Sequence, residues 1–140
     1  MTTKKPKKLT GLTLADFLTN TNLSQPSKMP LLIDDIETDH YLMVIGAQSK
    51  QVTRSRLIWG TETNKLNEEL KTIKDDIEKG MVRLEKESHL NNLFAVDLVV
   101  DWSFGDFNKE DFLNLLTENT GLANAVISHA FAKESTLAKK

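Results

Sequence analysis

Three histidines, His40, His89 and His129, and two pairs of adjacent carboxylates, Asp34-Asp35 and Asp75-Asp76, are the side chains best suited to chemistry in this sequence. Histidine would bring metal ligation or proton transfer near neutral pH, and paired carboxylates general acid–base work. The spacing supports neither. The histidines form no HExxH or comparable metal motif. Adjacent residues on a helix point about 100° apart, so Asp75 and Asp76 cannot converge on one substrate. Asp34 and Asp35 fall in a predicted turn, where aspartate is favoured for its own hydrogen bonding. Nucleophile motifs of the GxSxG and SxxK types are absent, and Gly46 and Gly60 stand outside any phosphate-cradling glycine pattern. With no cysteine in the chain there is no thiolate nucleophile, disulfide or sulfur-ligated metal. The expectation is therefore a protein with no catalytic, metal or cofactor residues. An enzyme assembled from distant segments is the only catalytic alternative left.

What the sequence does concentrate is aromatic surface. Trp102, Phe104, Phe107 and Phe112 crowd around Gly105. Trp102 and Phe112 are expected in the core, whereas Phe104 and Phe107, beside Gly105 and Asp106, are expected to be exposed as anchors for a partner. The chain of 140 residues has the usual size of one domain. Its net charge of −2 gives no general attraction to nucleic acid or anionic lipid. Lys4, Lys5, Lys7 and Lys8 make a local basic run, read as a flexible solubilising tail over residues 1–10. The stretch from Leu9 to Leu18 is interrupted by Asp16 and does not read as a secretory signal. No apolar run approaches the ~18 residues that span a bilayer, so neither membrane nor nucleic acid is expected as a partner.

The elements that must position these residues follow from periodicity and caps. Thr13 and Asp16 resemble a capping box for a helix near 12–20. Residues 19–30 read as a loop. Leu31-Leu32-Ile33 and the apolar run from Tyr41 to Ile45 predict a β-hairpin within 31–46, joined by the polar stretch Asp34–His40. Ser49 is placed to cap a helix from Lys50. Val52, Trp59, Leu66, Ile73, Leu70, Ile77 and Leu84 then fall on one incomplete heptad frame, which predicts core-facing helices near 50–59 and 62–87 split at Gly60. Charge pairs such as Lys65–Glu69 and Arg83–Glu87 mark the solvated face. Residues 90–102 fit strand alternation and helical spacing alike; their length favours a helix. Asn108 and Asp111 cap a helix near 109–117, Gly121 ends it, and a last helix covers 122–133. The expected fold is thus mainly α, a multi-helix domain over residues 11–134 with one β-hairpin, followed by a frayed tail at 135–140.

Three segments in this order resemble the tail assembly chaperones of long-tailed bacteriophages. They are Val44-Ile45-Gly46-Ala47-Gln48-Ser49 opening a charged helix, Leu98-Val99-Val100-Asp101-Trp102, and Phe107 to Leu116 leading through a break to Leu122–Ile127 and Phe131. The resemblance covers most of residues 30–131. The chain departs from the family pattern at Gln48, where an Asp commonly precedes the Ser, and at Asp101, where a Gly commonly precedes the Trp. The resemblance implies a non-catalytic helper in the host cytoplasm, not retained in the mature virion. Such a helper binds the tape measure protein, recruits tail tube protein subunits and self-associates into an oligomer or spiral. It also implies a frameshift-extended form, for which the codons of Lys139-Lys140 are the expected slip site. The expected partner or self-association surface comprises Leu42, Val44, Phe104, Phe107, Val126, Ile127 and Phe131. The rival reading is a small helical regulatory or nucleic-acid-binding phage or bacterial protein, which the net charge and the lack of a basic recognition helix count against.

Overall fold

The computed structural model of the chain describes residues 10–11, 13–15 and 25–132. Two strands, β1 (Ser27–Ile33) and β2 (Ile36–Val44), are followed by a 3-10 turn, Lys50–Val52, and two long helices, α1 (Thr53–Leu70) and α2 (Asp76–Leu98). A third strand, β3 (Val99–Trp102), then precedes the shorter helices α3 (Lys109–Glu118) and α4 (Leu122–Ala132). The fold is mainly α with a small antiparallel sheet. The helix expected near 12–20 and the two tails lie mostly outside the described residues.

The sheet has the order β1-β2-β3, so β2 is its central strand. The hairpin starts at Ser27 rather than at residue 31 and takes Pro30 into β1. Proline has no N–H to give a ladder, and an edge strand is where that loss is tolerated; the register shifts between Pro30 and Leu32. The connection is also tighter than the polar stretch 34–40 implies. Ile33 pairs with Ile36, leaving only Asp34 and Asp35 in the turn, at φ 52° and 64°. Two positive φ values in a two-residue loop are the pattern of a type I′ turn, which matches the twist of the flanking strands. The aspartate pair is turn chemistry.

Residues 90–102 combine both patterns in succession. Helical spacing holds to Leu98; the backbone then turns extended at Val99 (φ −103°, ψ 129°), and β3 pairs Val99 with Val44 and Trp102 with Leu42. The helix expected over the whole of 90–102 is corrected accordingly. Gly60 does not split a helix either: α1 runs through it, and the break falls at 71–75. There the Asp75 side chain accepts the Glu78 N–H (2.9 Å) and starts α2. Ser49 precedes the 3-10 turn but makes no side-chain cap bond. The ion pairs on α1 are Lys65–Glu62 and Lys71–Glu68, and Lys86 of α2 reaches Glu69 of α1. None of these is one of the i,i+4 pairs expected. Asn108 does cap α3, accepting the Asp111 N–H at 3.1 Å.

The core gathers Leu42 and Val44 of β2 with Phe94 and Leu98 of α2, Phe112 and Leu116 of α3, and Val126 and Ile127 of α4. Burying each such side chain contributes about 1.5–3 kcal/mol. Backbone bonds tie the layers: Ile45 N–H donates to the Leu98 carbonyl (2.9 Å) and Ala47 N–H to that of Ala130 (3.1 Å). Leu42, Val44 and Val126 have no exposed surface and Ile127 very little. Their expected role in a partner surface is corrected here: the face of the central strand that carries Leu42 and Val44 packs into the core.

Candidate partner-binding surface

The loop after β3 builds the most distinctive surface of the molecule. Ser103 prolongs the β2–β3 pairing, with its N–H donating to the Tyr41 carbonyl (3.1 Å) and its hydroxyl accepting the Tyr41 N–H (2.9 Å). The same hydroxyl lies 2.9 Å from His40 Nδ1. The loop then reverses through Gly105 at φ +102°, a conformation L side chains rarely adopt. The Trp102 indole N–H, donating to the Asp106 carbonyl (3.2 Å), ties the two ends of the reversal together.

Trp102 is the hub of the aromatic cluster. Phe104, Phe107 and Phe112 each meet it edge-on, at centroid distances of 5.4, 5.2 and 6.2 Å. This is the arrangement the ring quadrupoles favour. Phe112 is fully buried, and Phe107 is half-buried against the core, so its expected exposure holds only in part. Phe104 differs: the His40 ring stacks on it at 4.1 Å, Trp102 holds its edge, and 48% of the residue stays exposed. It is a fixed apolar platform facing solvent.

Phe104 borders a groove of about 640 Å³ between the hairpin and the α3–α4 corner. Met29, Leu31, Leu32 and Ile33 line one side; Leu115, Leu122 and Ala125 line the other. The hairpin tip continues this apolar surface outward, with Leu32, Ile33 and Ile36 at 54, 68 and 70% exposure. Exposed apolar groups gathered in this way mark interaction sites rather than ordinary surface. Beside the groove, β1 is an edge strand, blunted for strand addition by Pro30 and by Lys28, whose ammonium sits 4.2 Å from the Tyr41 ring centre.

The expected surface residues therefore separate. Leu42, Val44, Val126 and Ile127 are core. Phe104 borders the groove, and Phe107 supports it through Trp102. Phe131 is 41% exposed but stands elsewhere, near Trp59 (6.1 Å) and Phe94 (6.4 Å) where α1, α2 and α4 meet. From sequence, Leu32 and Ile33 read as strand residues and Ile36 as part of the polar connection; an apolar hairpin tip is invisible until the turn is located at 34–35. Among the described residues, no group of three His, Asp or Glu side chains is placed to hold a metal, and no helix is long and apolar enough to cross a membrane. Comparison with protein-family models, curated proteins and solved structures finds no match to this chain. The groove can bind an apolar side-chain row of a helix or an extended segment.

Proposed function

We propose that this chain is a tail assembly chaperone of a long-tailed phage, a non-catalytic protein that works in the host cytoplasm. The carrying observation is the groove between the hairpin and the α3–α4 corner, bordered by Phe104 and extended by the exposed tip residues Leu32, Ile33 and Ile36. Such a surface suits transient cover for the apolar rows of a long, aggregation-prone helical client, here the tape measure protein. Recruitment of tail tube protein follows from the family resemblance of residues 30–131. Self-association is likewise taken from the family resemblance, and buried Leu42 and Val44 are not its surface.

Co-expression with the tape measure protein of the same genome is the test. The tape measure protein should become soluble and co-purify with this chain. Phe104→Lys, and separately Ile33→Lys with Ile36→Lys, should each reduce the recovered complex while leaving the chaperone folded, because all three positions are exposed. A tape measure protein that stays insoluble beside wild-type chain would remove the proposal.

A further inference from the structure

The first half of α2 carries a second apolar surface, separate from the groove. Ile77, Met81 and Leu84 are 73, 67 and 74% exposed, and their spacing places them on one face of the helix. Counting on in alternating steps of four and three gives Ser88, Asn91, Ala95 and Leu98. These positions share one a/d frame along the 23 residues of α2, apolar at both ends and polar at Ser88 and Asn91. Its second half is covered by the chain's own fold. Ala95 and Leu98 are fully buried, and the Asn91 amide donates to Asn124 Oδ1 (2.9 Å) on the first turn of α4. Beyond the start of α4 the seam continues for two turns, and its three large apolar side chains remain in solvent.

The positions flanking the exposed half decide what fits there. The e and g sites of this frame are Glu78, Glu85, Gly80 and Glu87. None of the three carboxylates is in an ion pair among the described residues. A Cβ at Gly80 would meet nothing within 4 Å, so a partner backbone can come close on that side. A second copy is a poor occupant. Antiparallel pairing sets Glu78 across from Glu85 of the other copy, and parallel pairing offers no cation to either. Like charges facing each other across an interface select against the pair.

We infer that the exposed seam Ile77–Met81–Leu84 docks an amphipathic helix of another protein, with apolar a/d residues flanked by lysine or arginine. The bound helix prolongs the packing that α4 makes against α2. This inference is independent of the tail-assembly reading, since it uses neither the groove nor the hairpin.

Two labelled synthetic peptides of three heptads test it, both with leucine and isoleucine at a and d. One carries lysine at e and g, the other glutamate. By fluorescence anisotropy the lysine peptide should bind the full chain, and the glutamate peptide should bind at least about tenfold more weakly, given the like-charge repulsion. Met81→Lys and Leu84→Lys, both at exposed positions, should each abolish binding of the lysine peptide. Glu78→Lys combined with Glu85→Lys should invert the preference between the two peptides. Equal affinity for both peptides, or unchanged binding by Met81→Lys, would overturn the inference. So would a wild-type dimer that Met81→Lys converts to monomer by sedimentation, which would give the seam to a second copy.

Discussion

Replacing Asp35 with glycine should stabilise the protein, and the size of the gain can be worked from the turn. Asp34 and Asp35 hold φ values of 52° and 64°. An L-residue in the left-handed region costs about 1–2 kcal/mol, with aspartate toward the low end because its carboxylate can bond locally. Glycine removes that cost at position 35. It also enlarges the conformational freedom of the unfolded chain, which returns about 0.5–1 kcal/mol. The net is a gain of up to ~0.5 kcal/mol, increased slightly because one of two adjacent carboxylates is gone. Asp34→Asn with Asp35→Gly yields the pair most favoured in type I′ turns and should do at least as well. Asp35→Ala keeps the strain and loses the local bonding, so it should destabilise by roughly 0.5–1 kcal/mol. For a domain of this size 1 kcal/mol moves Tm by about 3–5 °C. Circular-dichroism melts and urea titrations therefore resolve all three variants. The reasoning fails if Asp35→Gly lowers the urea midpoint with an unchanged m-value, or if Asp35→Ala matches it. Binding to the groove should survive the glycine variant, because Ile33 still pairs with Ile36. A one-residue slip would exchange the faces of Leu32 and Ile33 and so reshape that side of the groove.

Three further substitutions probe the scaffold. Gly60→Ala, in the interior of α1 with open space where the Cβ would stand, should raise stability by about 0.5–1 kcal/mol in the same melts. Asp97 accepts the Ser55 hydroxyl of α1 and the Lys109 ammonium of α3 (2.9 Å). Asp97→Ala should cost about 1.5–3 kcal/mol and Asp97→Asn under ~1, because the partly exposed Lys109 pair is the weaker contribution. Equal losses in the two variants would show that Ser55 contributes nothing. Phe112→Ala empties a fully buried site among Trp102 and Phe107 and should cost about 3–5 kcal/mol, with loss of the near-ultraviolet dichroism of the aromatic cluster.

Local signals carried much of the architecture. The Asn108-x-x-Asp111 cap and the apolar spacing after Gly121 placed α3 and α4 to within a residue. Where the sequence misled, the missing information was non-local. Val99 leaves the helix because Val44 is there to pair with it, and nothing within residues 90–102 records that partner. Leu42 and Val44 are expected at a surface because a two-stranded hairpin has open edges; β3 pairs along the free edge of β2, and the helices pack on the face that carries both side chains. The two-residue spacing of Leu42 and Val44 was the available signal, since it sets both on one face of β2 while Tyr41 and Met43 stay only partly buried. Gly60 shows the reverse error. A helix tolerates one glycine at modest cost, whereas the Asp75 cap sets where the next helix must start. For Ile77 and Leu84 the heptad frame implied a core-facing position, and the structure leaves both in solvent, because a frame records a shared face and not what covers it.

The α3–α4 corner connects the two apolar surfaces. Thr120 and Gly121 line the groove beside the hairpin, and they also line a depression of about 540 Å³ on the other side, bounded by Leu84, Asn91 and Asn124. Leu84 is the last large apolar residue of the exposed α2 seam, so seam and groove approach each other across this corner. Gly121 holds φ at +92°, which fixes the direction in which α4 leaves the corner. α4 in turn decides where the α2 seam stops being covered, because the Asn91–Asn124 bond sits on its first turn. The corner thus sets the width of the groove on one side and the length of free seam on the other. A ligand that shifts α4 by even a fraction of a turn must change both, which gives the two surfaces a physical route to couple: one rigid element whose position each of them contacts.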